Sequence, residues 1–557
     1  MRRFIVVPML AFMLAFALGS AEAQPTCNLC NEPTRAWMEP QVISSSGGVL
    51  NYTLEAKFVE SAFGGIMLRH RSYNGLLTGP TFRFKAGDTL NILLKNNLPV
   101  ATDRSKKFNV TNLHTHGFHV SPKCDPDNLT GPWNWCSDNV LITIEPQTEV
   151  QFKFELPEDH PPGTHWYHPH HHGATAVQVT SGMSGALLLE GNVDVMLRER
   201  DISERLFVFQ QIQYNRETRE VSTCYDFGDC ELLTDDFGSN VFDPTDPSNP
   251  LTFIVNTSIN GVLKPLISLR PGQIERWRFI HAGIKGALNV TLVPAKRGQC
   301  NADYNLEKEA LPLNEFAADG ITMGRIAKRS LVPLFPGYRS DVLVQINEPG
   351  VYCLLDYEST PGTLNLFGKA EVRQVLAMVV VNSMRPVEME MPTSDDFKPL
   401  APYASLCGPE TKINARQAVT FAKGWSPTGG PESFFNVNGV VFPHHVTPTT
   451  PRLKLKLNNT DEWTLMSGVD NHPFHIHQNP FEVCGIIDIN TDQPPARFAD
   501  GTPAFDGPIW RDTLIVPLWQ RITMRTHYKE FTGAFVQHCH ILTHEDLGMM
   551  QLIEIEP

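Results

Sequence analysis

The stretch QHCHILTHEDLGMM, residues 537–550, constrains this chain more than any other. A cysteine stands between two histidines, a third histidine follows it by five residues and a methionine by ten. The run leading into it, GAFVQHCHI, reads as a strand. Successive side chains of a strand point to opposite faces. Cys539 is therefore expected to face one way and His538 and His540 the other. One strand would then serve two metal sites joined by two peptide units.

Ligand chemistry names the first site. One thiolate, two imidazoles and a weak axial thioether form the donor set of a blue-copper electron-transfer centre. Cys539, His544 and Met549 supply three of these, and the second imidazole must come from elsewhere. The competing reading is a disulfide cysteine among chance histidines.

At 557 residues the chain is long enough for three domains of ordinary size. Charged residues make up only 19%, with 43 prolines and 39 glycines, and no helical periodicity dominates, which predicts a turn-rich all-β protein. A net charge of -14 argues against nucleic acid as a partner and for solubility. Residues 1–23 read as a secretory signal: Arg2 and Arg3, an apolar run from Phe4 to Leu18, then Ala-Glu-Ala. The run is short for a membrane span, so none is expected in the mature chain, and the location expected is secreted or periplasmic. With Cys539 set aside, ten cysteines remain, an even number that suits disulfides in an exported protein. Cys124 with Cys136, and Cys224 with Cys230, are close enough to bracket loops.

Along the chain, short strands broken by turns fill about 40–190. The alternating DTLNILLKNN (88–97) leads to NVTNLHTHGFHV, where His114 and His116 share one face and Gly117 allows close approach. A later strand and turn lead to THWYHPHHHG, with His168 and His170 again two apart. Residues 200–385 read as a second β-domain whose corresponding strand pair ends in a single His281, a repeat without a metal site. SMRPVEMEMPTSDDFKPL (383–400) reads as a linker. The third domain, 400–557, repeats the plan: RLKLKLNNTDEWTLMS leads to NHPFHIHQNPF. His475 and His477 share a face, and His472, set off by a proline, is free to point towards Cys539 as the missing imidazole.

Four H-x-H units therefore exist: 114/116, 168/170, 475/477 and 538/540. Eight imidazoles from the first and third domains suit borderline copper ions. His70, His160, His281, His444, His445 and His527 read as ordinary surface or core residues.

HTHG, WYHPH, HPFHIH and HCHILTHEDLGM resemble, in order, the four motifs of the multicopper oxidases. The resemblance implies three cupredoxin-like Greek-key β-barrels, the middle one without copper. It also implies four Cu ions: one type 1, one type 2 and two type 3. By position, His472, Cys539 and His544 would bind type 1 copper with Met549 axial. His114 and His475 would bind type 2. His116, His168, His170, His477, His538 and His540 would bind the type 3 pair. His119, His165, His171 and His172 fall outside the family pattern and read as supporting or surface residues. Glu545 matches an acidic position of copper-efflux oxidases and Asp138 the acid after the first motif; both are candidate proton carriers. The implied reaction couples four one-electron oxidations of phenols or aromatic amines to reduction of O2 to two H2O, as in laccases. The alternative donors are Cu(I), Fe(II) or Mn(II). No methionine-rich cuprous-ion segment is visible, since Met384, Met389 and Met391 lie in the linker.

Overall fold

The computed structural model describes residues 35–557, apart from 102–107, 125–134, 216–217, 222–252, 361–362, 367–370, 426–432 and 490–496. The leader 1–23 and the Cys224/Cys230 pair lie outside the described residues. Three disulfides are described: Cys124–Cys136, as expected, and Cys300–Cys353 and Cys407–Cys484.

The chain is almost entirely β, in six sheets that fall into three pairs along the sequence. One strand relationship recurs in all three. Val49–Ala56 runs parallel to Thr89–Asn96, Ser203–Phe209 to Glu275–His281, and Ala415–Phe421 to Asp461–Ser467. In each case the second strand then pairs antiparallel with a later one: 148–155, 339–345 and 521–527. Alternation makes these strands. In Thr89–Asn96 and Thr460–Ser467 every second residue is buried, including Leu90, Ile92, Leu94 and Trp463, Leu465.

The middle copy departs from alternation. Ile274–His281 is buried on both faces. Trp277 and Phe279 enter the core, which the second and third sheet pairs share. Arg276 and Arg278 face the other way, towards the first barrel, and are held by Asp194, Asp341 and Glu204. Buried cations need such partners to be tolerated. His281 closes the strand with its ring spent on backbone: Gly283 N–H donates to Nδ1 at 3.0 Å, and Nε2 donates to Gly286 O at 2.7 Å.

Residues 383–400 are no loose tether. Val387 N–H donates to Pro271 O, Met389 sulfur accepts from Ile274 N–H at 3.3 Å, and Phe397, on a short helix, is buried against Phe316. Apolar side chains at 389, 391, 397 and 400 dock the segment on the middle barrel, a gain in burial that outweighs its proline-rich character. Among the described residues no helix is long and apolar enough to cross a membrane.

Candidate metal centres

The strand Gly533–Cys539 pairs antiparallel with His472–Ile476, with Phe474 opposite Cys539 and His475 opposite His538. Alternation puts Cys539 Sγ on one face. There a ring nitrogen of His472, one of His544 and the sulfur all lie within 4.8 Å of one another. His544 rides on the short helix Leu542–Asp546 that follows the strand, and Met549 closes the turn with its carbonyl accepting from Cys539 N–H at 3.0 Å. All four side chains are buried. Ser467 Oγ sits 2.9 Å from His472 Nδ1, and Phe435 stacks on His544 with centroids 3.9 Å apart. Ile541 N–H points at Cys539 Sγ from 3.4 Å. Burial pushes the free thiol well above its ordinary range. A thiolate here therefore calls for a cation beside it.

On the other face eight imidazoles converge: His114, His116, His168, His170, His475, His477, His538 and His540, each at most 1% exposed. Burial, then mutual repulsion, holds them well below the ordinary histidine range, so they are neutral. His168 and His538 fall to about 3. Four of them have the outward nitrogen tied to an acceptor. His168 Nδ1 donates to Pro169 O, His475 Nδ1 to Asp512 O and His538 Nδ1 to Cys539 O, at 2.8, 2.9 and 3.0 Å. His114 Nδ1 donates to the Asp138 carboxylate at 3.0 Å. Carbonyls and carboxylates only accept, so the inward Nε2 of each of these four carries a lone pair. Among the described residues His114 Nε2, His168 Nε2 and His475 Nε2 have no hydrogen-bond partner. His538 Nε2 has His170 Nε2 at 3.0 Å and His477 Nε2 at 3.4 Å. On the opposite side His116 Nδ1 faces His540 Nε2 at 3.3 Å. Inward lone pairs backed by outward acceptors are how proteins prepare imidazoles for metal. The donor sets fit copper.

Three acids support the cluster. Asp138 is buried, holds His114, and accepts from Thr115 N–H at 2.8 Å. Burial pushes it up to about 7. Glu545, fully buried, has Oε1 3.4 Å from His170 Nδ1 and Oε2 3.7 Å from His538 Nδ1. Burial, and then the neighbouring Asp546, raise its carboxyl well above the ordinary range. The third acid, Asp512, escaped the sequence reading. Its Oδ1 lies 3.3 Å from His116 Nε2, and Arg339, from the middle barrel, grips it with both terminal nitrogens. Asp319 completes the group, accepting from Arg339 N–H and from Arg511 Nη1 at 3.2 Å. The available signal was the Arg511-Asp512 pair inside the apolar run IWRDTLIVPL (509–518), since charges there must be paired.

The remaining histidines divide. His119, His160 and His165 line a cavity of about 20 Å³ beside Asp512, with room for one water. Gly117 is why this wall closes up: its φ is +93°, and a Cβ there would lie 2.5 Å from both Arg339 Nη2 and His165 Nδ1. His171 and His172 are half-buried on the far side.

Two family models, each described as multicopper oxidase, match residues 68–193 and 411–557, which carry all four histidine motifs. The chain belongs to the multicopper oxidase family. This multicopper oxidase is 25% identical over 526 residues to a multicopper oxidase mco of Staphylococcus aureus, covering 92% of this chain and 89% of that one. It is 24% identical over 523 residues to a laccase of Bacillus subtilis, covering 87% and 89%. Among solved structures, the multicopper oxidase from Campylobacter jejuni, described as a metallo-oxidase, superposes with a TM-score of 0.67 at 20% identity, covering 94% and 96% of the two chains. Those barrels are cupredoxin-like, and the oxidase described here shares their fold.

Proposed function

We propose that this oxidase is laccase-like, coupling four one-electron oxidations of phenols or aromatic amines to reduction of O2 to two H2O. The observation that supports it is the single strand whose Cys539 belongs to a thiolate–diimidazole site while His538 and His540 belong to an eight-imidazole cluster. His472, Cys539, His544 and Met549 would hold type 1 copper, and His114 and His475 type 2. His116, His168 and His540 would hold one type 3 ion, and His170, His477 and His538 the other. Copper in these sites supplies one-electron transfer and the reduction of dioxygen.

The chain's own residues do the rest. The Cys539 backbone is the shortest covalent connection between the two donor sets. Thr175 Oγ1 donates to Glu545 Oε1 at 3.1 Å, which leaves the proton of this raised carboxyl to Oε2, beside His538. Asp138 orients His114 and, at about 7, exchanges a proton near neutrality. The aromatic-donor reading is favoured by the methionines. Met389 and Met391 pack against the middle barrel, so these soft sulfurs are committed to the core. The second reading, oxidation of metal ions, draws on the metallo-oxidase likeness and on the exposed histidines His444 and His445.

Oxygen uptake decides between them. With copper-loaded protein and Cys539→Ser as the blank, kcat/KM for a methoxyphenol is expected to exceed that for cuprous ion. The reverse order would replace the proposal with a metal-ion oxidase.

A further inference from the structure

Two histidine runs are left over when the buried donor sets are complete: His171 and His172 after the second motif, and His444 and His445 in the third barrel. They lie 272 to 274 residues apart in sequence, yet the fold brings them together. The rings of His172 and His444 are 5.1 Å apart, centroid to centroid, tilted by 36°. A Cβ on Gly173 would sit 4.0 Å from His444 Nδ1. We propose that His172 and His444, with the adjoining His171 and His445, form a further metal site, separate from the buried centres, that takes a copper ion from solution through imidazole nitrogens alone.

Several features favour a built site over chance neighbours. The loop that carries His444 and His445 is anchored. Phe442 is buried, its N–H donates to Gly548 O at 3.0 Å, and its ring meets His172 edge-on at 5.3 Å. The two halves of the cluster thereby adjoin the buried centres: one follows the loop that bears His170 just after the strand Gly163–His168, and the other is tied to the turn between His544 and Met549. Unlike the eight buried rings, this group is open. His444 and His445 are exposed, and His171 and His172 half-buried, so an ion can enter without the barrels parting. Imidazole donors suit zinc, copper, iron and nickel, and the order of affinities among divalent first-row ions places copper highest. The proposal concerns binding and holds whether or not the bound ion gives up an electron.

The test counts metal on the intact, copper-loaded oxidase. Loosely held copper is removed, and the resting protein is titrated with cupric ion at neutral pH against a weak competing chelator. Wild type is expected to bind about one ion more than the double variant His444→Ala/His445→Ala. The blue absorption of the two is compared to confirm that the variant has folded and kept its thiolate site. His527→Ala, an exposed histidine elsewhere, serves as the control and should match wild type. Equal counts for wild type and the double variant, or an equal loss in the control, would overturn the assignment.

Discussion

Glu545 Oε1 lies 3.4 Å from His170 Nδ1 while its other oxygen lies 3.7 Å from His538 Nδ1, so one buried carboxyl faces two rings that converge on the same point. Replacing it with glutamine keeps the shape and removes the exchangeable proton. Glu545→Gln should slow oxygen turnover by about a hundredfold or more, the usual worth of a positioned proton donor, and leave the blue absorption intact. Unchanged turnover would remove Glu545 from the proton path.

Asp512 and Arg339 act through the rings they hold. Asp512→Asn keeps the side-chain volume but weakens the grip of Arg339 and the anchoring of His116 Nε2. Outer-shell losses of this kind lower metal affinity or activity by about 10–100-fold. The variant should shed copper from the histidine cluster first, with blue absorption retained, as followed by metal analysis beside the optical spectrum. Loss of both together would mean general unfolding.

Met549→Leu replaces a weak thioether donor with an apolar side chain in the same buried position. The potential of the thiolate site should rise in a redox titration, because an axial thioether tunes that potential through its weak bond to copper. A fall would contradict the axial assignment.

His281 gives a pH dependence independent of copper. Burial pushes it down to about 4, and its Nδ1 must stay unprotonated to accept from Gly283. The unfolded chain takes up this proton as pH falls through about 6.5, and the folded chain does not. Stability is therefore full above about 6.5 and declines on acidification towards about 4, by on the order of 3 kcal/mol in total. His281→Asn should be less stable at neutral pH, with a thermal midpoint that falls less than that of wild type between pH 7 and pH 5. Parallel declines would show that His281 does not contribute.

The convergence of the candidate donors was legible because metal chemistry admits few residue types and strand geometry admits one spacing. His475 and His477, two apart, share a face, and His472, three before His475, reaches the other. The acids and cations behind the donors were not legible in the same way. Asp512 and Arg339 are 173 residues apart and belong to different barrels, and no local pattern links them. Arg276 and Arg278 alternate with Trp277 and Phe279, which in a half-exposed strand means polar side outward. Here that side meets the first barrel, so the alternation records an ion-paired interface and not a solvated face. The segment 383–400 reads from its prolines and acids as a linker, and composition did not show that Met389 and Phe397 dock it on the middle barrel.

The middle barrel contributes none of the proposed copper ligands, yet Arg339 and Asp319 come from it, and a Cβ on its Gly337 would lie 2.8 Å from the His540 ring. Its position is that of a mould pressed against a casting. Substitutions on its inner wall would alter the tilt of rings and the charge behind them while the donor count stays the same. A lineage with this architecture could therefore retune the surroundings of those rings from a domain that supplies none of the proposed ligands, where a failed change leaves the donor set intact.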